Sequence, residues 1–186
     1  MKTMATTIPA ALIERRQWVL WKRARGGVKL PCQVTGRAAK SNDPTTWCGF
    51  ESATKRYNRG GFDGVGYVFA AADPFVGIDL DGCRNPETGE VAAWATEIIQ
   101  RLGTYAEVSP SKTGVKLWVV GKNPLGDKGR KVAVVGAAKV CDKEPAIEVY
   151  DRTRYFAVTG WRLDSVPATI ERNDSAMKWI VKTYLG

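Results

Sequence analysis

Short apolar segments with alternating polar positions run along most of the chain, and this pattern predicts strands more often than helices. The predicted strands cover residues 17–22, 64–70, 75–81, 104–108, 114–120, 131–135, 146–150 and 154–159. Apolar residues recur at helical spacing over 91–102, and further helices are predicted over 9–16, 50–58 and 175–185. Residues 23–47, which are rich in Lys, Arg, Gly and Pro, are predicted to be irregular.

The order of these elements indicates the fold class. Segments 64–70 and 75–81 are predicted to pair through a turn at Asp73-Pro74, and 154–159 is predicted to form a hairpin with 146–150. Because several strands follow one another without a crossover helix, we expect an α/β or α+β fold with a largely antiparallel sheet. Residues 1–186 are predicted to form a single domain, with room for two lobes.

Composition excludes several classes of function. The 186 residues include no histidine, which excludes hydrolases that depend on an imidazole base. The four cysteines form no Cys-x-x-Cys pair, so we expect reduced thiols rather than a zinc site or disulfides. No apolar stretch approaches the roughly 18 residues of a membrane span, so we expect a cytoplasmic protein without a membrane partner.

Charge is unevenly distributed around the net value of +9. Residues 1–60 hold twelve Lys/Arg against three Asp/Glu, residues 61–107 hold two against eight, and residues 108–186 hold fourteen against eight. This distribution fits either an ordinary basic surface or a surface that binds a polyanion around a carboxylate cluster. In the second case metal ions would have to offset the repulsion between carboxylates and phosphates.

Three acidic residues are candidate metal ligands. Asp79 and Asp81 lie two residues apart in a predicted strand, so their side chains share one face, with backbones about 7 Å apart. Ile78 and Leu80 would then point into the core, although a pair of acids is also common at an ordinary strand end. Glu148 lies in an otherwise apolar strand and needs a partner if it is buried, either a metal or an arginine, Arg152 or Arg154.

Residues 109–114 combine serine, threonine, lysine and glycine in a turn that leads into a strand carrying Lys116. Hydroxyl groups, free backbone N–H groups and an ammonium group are the donors that a phosphate chain needs. An ordinary serine-rich loop has the same composition, and the segment does not match the Walker A pattern. Among the aromatic residues, Trp47 is predicted to be partly exposed in the basic first third, where it could stack on a base.

Three motifs in order resemble a known series. They are Gly77-Ile-Asp-Leu-Asp-Gly82, Tyr105-Ala-Glu-Val-Ser-Pro-Ser-Lys-Thr-Gly-Val-Lys116, and Ile147-Glu-Val-Tyr-Asp-Arg-Thr-Arg-Tyr-Phe-Ala-Val-Thr-Gly160. The series resembles the catalytic domain of the archaeo-eukaryotic primase superfamily, in particular the primase-polymerases of phages and plasmids. The resemblance covers roughly residues 17–162, and it implies an α+β fold in which an RRM-like, largely antiparallel sheet lies beside a smaller α/β lobe.

The resemblance also implies roles for individual residues. The catalytic carboxylates, which hold Mg²⁺ or Mn²⁺, would be Asp79, Asp81 and Glu148. The residues that bind the incoming nucleotide would be Ser109, Ser111, Lys116, Arg154 and Tyr155. Relatives usually carry histidine where this chain has Lys116, and a lysine meets a phosphate as a more mobile point charge.

The function expected from the resemblance is a DNA-dependent primase-polymerase, a nucleotidyltransferase that joins dNTPs or NTPs on a single-stranded DNA template. The template is predicted to contact the basic first third, through Lys29, Lys40 and Trp47, and the segment 122–139. A helicase, as a further domain or a separate protein, is an expected partner, and the chain could be the N-terminal part of a larger replication protein. The alternatives are a non-catalytic nucleic-acid-binding module with the same fold and a metal-dependent nuclease.

Overall fold

A computed structural model describes residues 7–127 and 129–186 of the chain. The helices are α1 (Ala10–Ile13), α2 (Phe50–Asn58), α3 (Ala93–Leu102) and α4 (Asp174–Ile180), which continues as a π-helical turn over Val181–Leu185. The strands are β1 (Trp18–Arg23), β2 (Lys29–Cys32), β3 (Gly64–Phe69), β4 (Phe75–Asp81), β5 (Ala106–Val108), β6 (Val115–Val120), β7 (Arg130–Ala133), β8 (Ala146–Tyr150) and β9 (Arg154–Val158).

The strands form two antiparallel sheets. Sheet I has the order β2-β1-β3-β9, and sheet II has the order β5-β6-β4-β8-β7. Few helices accompany these sheets, and the elements follow one another without a repeated strand–helix–strand unit. The expected α+β class with antiparallel pairing is therefore confirmed.

Two of the pairings expected from the sequence are wrong. β3 and β4 lie in different sheets, because β3 pairs with β1 and β9 while β4 pairs with β6 and β8. The turn between β3 and β4 is held by Asp73, whose carboxylate accepts hydrogen bonds from the N–H groups of Ala70 and Phe75. β9 pairs with β3 rather than with β8. A short connection therefore carries the chain from one sheet to the other at both places.

The segment 23–47, expected to be irregular, contains β2 and short 3-10 turns at Arg25–Gly27 and Pro44–Thr46. β2 lies at the edge of sheet I and pairs with β1, where Pro31 lies opposite Trp21. On its outer side, Cys32 forms an isolated bridge with Ala38, and the Pro31 carbonyl oxygen accepts a hydrogen bond from Ala39 N. An edge strand can carry proline because one side of its backbone needs no partner. The strand is therefore held by its backbone partners, β1 and the segment that follows β2, rather than by its own pattern of residues.

Each face of sheet II is buried in a different way. One face packs against α3, α4 and the π-helical turn, with Ile78 and Leu80 fully buried, as the alternation along the strand predicts. On the other face, aromatic side chains of both sheets meet, and Phe69 stacks on Trp118 with 6.5 Å between ring centroids. Gly77 makes this contact possible, because a Cβ atom there would lie 2.4 Å from Cζ of Phe69.

Two further expectations concern the cysteines and membrane-spanning helices. The four cysteines, Cys32, Cys48, Cys83 and Cys141, are free thiols, as expected. Within 7–127 and 129–186, no helix has the length and apolarity needed to cross a bilayer. Residues 1–6 of the predicted domain, and Lys128 in the predicted template segment, lie outside the described residues.

Candidate active site

All five strands of sheet II place a charged residue at the same level. Glu107 lies opposite Lys116, Lys116 opposite Asp79, Asp79 opposite Glu148, and Glu148 opposite Lys131. Directly opposed residues share a face of the sheet, with Cβ atoms typically about 5 Å apart. We call this set the charged row. It lies on the face that meets sheet I, beyond the aromatic contact at Trp118.

Asp79 lies at the centre of the charged row. Its side chain is 14% exposed and forms an ion pair with the ammonium group of Lys116. The second carboxylate oxygen, Oδ1, is buried and accepts no hydrogen bond within the described structure. Burial raises the pKa of Asp79, and the nearby charges of Asp81 and Glu148 act in the same direction, whereas Lys116 lowers it. Asp79 therefore has a free oxygen in a position where an unpaired carboxylate is costly.

Asp81 and Glu148 share one partner. The ammonium group of Lys131 lies 3.2 Å from a carboxylate oxygen of Asp81 and 2.5 Å from one of Glu148. The hydrogen bond to Glu148, followed by its charge and the contact with Asp81, raises the pKa of Lys131. From the sequence, the expected partner of Glu148 is a metal, Arg152 or Arg154. In the structure the partner is Lys131, and Arg152 pairs with Asp151.

The three predicted ligands fit a hard divalent cation by their chemistry, since carboxylate oxygens are the donors that Mg²⁺ and Mn²⁺ prefer. The unpaired Oδ1 of Asp79 supports the same assignment. However, among the described residues no three His, Cys, Asp or Glu side chains converge closely enough to hold a metal ion. The three carboxylates share a face, and Asp79 lies opposite Glu148, but Asp81 and Glu148 are both tied to Lys131. Metal binding by all three carboxylates therefore requires the Lys131 side chain to move.

Lys116 is buried, with a relative accessibility of 6%. Its ammonium group lies 4.3 Å from the ring centroid of Phe156, which reaches it from β9 of sheet I. An ammonium group so placed makes a cation–π contact as well as its ion pair. Lys116 is therefore a buried lysine between the two sheets and not a solvent-facing residue of β6.

Glu107 lies within the second sequence motif, although the motif gives it no role. Its carboxylate is fully buried and accepts hydrogen bonds from Tyr105 Oη at 2.8 Å, Thr159 N at 2.9 Å and Gly160 N at 3.0 Å. Burial raises the pKa of Glu107 to about 7, although these three donors and Lys116 lower it. A lone acid between apolar residues was the signal that identified Glu148, and it would also have identified Glu107.

The turn at 109–114 is ordered by its own hydroxyl groups. Ser109 Oγ lies 3.0 Å from Ser111 Oγ and accepts a hydrogen bond from Gly114 N at 3.2 Å. Gly114 approaches β4 closely, since a Cβ atom there would lie 2.6 Å from the carbonyl oxygen of Leu80. Lys143 adds a cation, with Nζ 3.5 Å from Ser111 Oγ. The predicted phosphate-binding turn therefore lies beside the strand that carries the aspartates.

Two further predicted residues approach the charged row from sheet I. Partial burial lowers the pKa of Lys29 to about 8, and the positive charges of Lys116, Lys143 and Arg23 contribute to this shift. The Nζ atom of Lys29, a residue predicted to contact nucleic acid, lies 5.7 Å from the ring centroid of Trp21 on β1. The guanidinium group of Arg154 lies 5.1 Å from the ring centroid of Tyr150, two residues beyond Glu148 on β8.

Two predicted residues lie on the other face of sheet I. Tyr155 and Trp47 pack against a small cluster with Val19 and Val68, separate from the aromatic contact with sheet II. Tyr155 donates a hydrogen bond to the carbonyl oxygen of Lys29 at 2.7 Å, and Trp47 Nε1 donates one to that of Lys40, also at 2.7 Å. Trp47 is partly exposed, as predicted. The structure thus separates this group from the three carboxylates.

No protein-family model matches the chain. A curated relative is the DNA primase-polymerase of Nitratiruptor phage NrS-1, which is 35% identical over 160 residues. The aligned region covers 84% of this chain and 21% of the phage protein, so the chain spans about a fifth of that relative's length. The resemblance seen in the three motifs is confirmed by this match, and the chain is homologous to one segment of a phage DNA primase-polymerase.

Proposed function

We propose that the chain is the catalytic domain of a DNA-dependent primase-polymerase, which transfers nucleotides to a primer or to an initiating nucleotide on single-stranded DNA. The observation that carries the proposal is the pair Asp79 and Glu148 in the charged row, with Asp81 two residues farther along the same face of β4 and a buried, unpaired carboxylate oxygen on Asp79. Homology to a phage primase-polymerase supports the same reaction class. In this proposal sheet II with α3 and α4 is the RRM-like core, and sheet I belongs to the smaller lobe.

The three carboxylates would hold Mg²⁺ or Mn²⁺. Such ions lower the barrier to attack by a 3′-hydroxyl group and stabilise the pyrophosphate leaving group. The chain's own contribution is a rigid support, because Asp79 and Glu148 lie on the neighbouring strands β4 and β8. A support of this kind fixes the spacing of the carboxylates better than a loop would.

The cations beside the carboxylates would bind the incoming dNTP or NTP. Lys143 Nζ lies 3.5 Å from Ser111 Oγ in the serine turn, where Ser109 and Ser111 offer hydroxyl groups, and Lys116 follows the turn on β6. The charges of Lys116 and Lys143 both act on Lys29. Charge-assisted hydrogen bonds from ammonium groups are among the stronger contacts available to phosphate. Arg154 would meet the nucleotide from the Glu148 side. Tyr155, on the other face of sheet I, would need to act through Lys29, whose carbonyl oxygen it holds.

The template would lie along the basic surface of sheet I, where Lys40 is exposed and the Trp47 ring is partly exposed. Contacts from lysine and arginine to phosphates would give affinity without strong sequence readout. A helicase partner stays a prediction from the resemblance.

A non-catalytic nucleic-acid-binding module is the second candidate. It is favoured by one observation, that lysines already pair with all three carboxylates and none of the described acids converge on a metal position. A nuclease that uses the same acids is a third outcome of the same test.

Incubation with labelled dNTPs, Mn²⁺ and a primed or unprimed template separates these functions. Extended product supports the proposal, template degradation supports a nuclease, and binding without either supports a non-catalytic module. Asp79→Asn should abolish synthesis while its circular dichroism spectrum stays that of a folded chain. Glu144→Gln is the matched control, because that acid is 74% exposed and forms an ion pair with Lys139, away from the three carboxylates. Normal synthesis by Asp79→Asn would overturn the assignment of Asp79.

A further inference from the structure

Lys131 occupies an unusual position among the lysines near the carboxylates. It lies on β7, the edge strand of sheet II, and its single ammonium group contacts both Asp81 and Glu148. Its side chain is nevertheless 55% exposed, whereas the Lys116 side chain is 7% exposed. A long side chain at an exposed edge can leave its partners for water, and a buried side chain between two sheets cannot do so at comparable cost.

The position of the Lys131 ammonium group is also informative. A cation that contacts oxygens of two different ligands lies where a bound metal would contact the same oxygens. Without it, Asp79, Asp81 and Glu148 would repel one another across one face of the sheet. Asp79, by contrast, keeps one oxygen free even with its own lysine bound.

We propose that Lys131 is a tethered, exchangeable cation, which holds Asp81 and Glu148 together in the metal-free protein and leaves when a divalent metal binds. The inference rests on the proposed function in that it takes these carboxylates as the metal ligands. Because the ammonium group and the metal compete for the same oxygens, Lys131 sets the apparent metal affinity. Lys116 stays with Asp79 throughout and takes no part in this exchange.

The test measures Mn²⁺ binding by titration calorimetry and by the electron paramagnetic resonance signal of free Mn²⁺, without nucleotide or DNA. Lys131→Met removes the ammonium group and keeps most of the side chain. Two charge-assisted hydrogen bonds to carboxylates would no longer compete, so Mn²⁺ should bind about tenfold more tightly.

Lys139→Met is the matched control. Lys139 lies in the β7–β8 connection, eight residues after Lys131, is also 55% exposed, and pairs with Glu144 rather than with the predicted ligands. Lys139→Met removes the same unit of charge as Lys131→Met, so a general electrostatic effect would appear in both variants. We expect the Mn²⁺ affinity of Lys139→Met to change less than twofold. Equal gains in both variants, or no gain for Lys131→Met, would overturn the exchange.

A second measurement follows the ammonium group itself. In lysine side-chain ¹⁵N NMR spectra of the metal-free protein, the Lys131 signal, assigned by its loss in Lys131→Met, should show slowed hydrogen exchange. Addition of Mg²⁺ should return it to the position and exchange rate of an exposed lysine. A Lys131 signal that Mg²⁺ leaves unchanged contradicts the inference. If the exchange fails this test but the wild-type chain binds Mn²⁺ and extends primers, the proposed function still stands. If neither the wild-type chain nor any variant binds Mn²⁺, both the exchange and the proposed function are contradicted.

Discussion

Glu107 gives the clearest prediction of a pH-dependent stability. Its pKa is about 7 in the folded chain against an ordinary value of 4.5, because the carboxylate is buried between the sheets. The folded state therefore binds more protons than the unfolded state between these two values. The contribution of Glu107 to the free energy of unfolding is present below pH 4.5 and is lost as the pH rises through 7. The difference between the two pKa values corresponds to about 3 kcal/mol.

The comparison with Glu107→Gln isolates this contribution. Glutamine keeps the shape and cannot titrate, but its NH₂ group would face a donor such as Gly160 N, which costs about 1–3 kcal/mol. Urea unfolding should be followed by tryptophan fluorescence at several values between pH 4 and 8. We expect the stability advantage of the wild-type chain over the variant to shrink by about 3 kcal/mol across this range.

Other carboxyl groups with raised pKa values, such as Asp73, titrate in both proteins and cancel in the difference. Glu97→Gln serves as a control, since Glu97 forms an exposed ion pair with Arg101 on α3 and its replacement should change the stability by no more than about 0.5 kcal/mol. A wild-type advantage over Glu107→Gln that is the same at pH 4 and pH 8 would refute the reasoning. It would mean that the three donors and Lys116 cancel the effect of burial on the pKa of Glu107.

Three further predictions concern packing, the lysine at the site and the template. Gly77→Ala should destabilise the fold by about 1–3 kcal/mol in urea unfolding, because the new Cβ would collide with Phe69, while Gly49→Ser, with open space around it, should have little effect. Lys116→Met should cost about 3 kcal/mol in EDTA and less in Mn²⁺, because a metal would replace the lost charge beside Asp79. Equal losses would argue against metal binding there. Affinity for single-stranded DNA should fall with salt at a log–log slope of about −0.7 per phosphate contact, and a flat titration would exclude the proposed template surface.

Local pattern was enough to predict much of the secondary structure. The predicted bounds of α2, β4 and β8 match those observed, because each combines a clear apolar period with a turn or glycine at its end. The same alternation placed Ile78 and Leu80 in the core and Asp79 on the opposite face. The unusual acid in β8 correctly indicated a partnered Glu148.

Partners from distant parts of the chain could not be predicted in this way. Lys131 lies 17 residues before Glu148 and 50 after Asp81, and only the register of β7 on β8 brings its ammonium group to both. The hairpins expected from short connections were wrong for a related reason. A turn of a few residues permits pairing, but each strand joins the sheet on which its apolar face is buried.

The sequence by itself determined which residues share a strand and a face, because alternation is a property of neighbouring residues. Asp79, Asp81 and Glu148 were therefore identifiable from local pattern alone as acids on supported strands. Only the tertiary structure decided that Lys116 and Glu148 flank Asp79, that Glu107 is held by the residues that follow β9, and that Trp47 and Tyr155 lie on the other side of sheet I. Those relations depend on strand register and on the packing of two sheets, which join residues far apart in the chain.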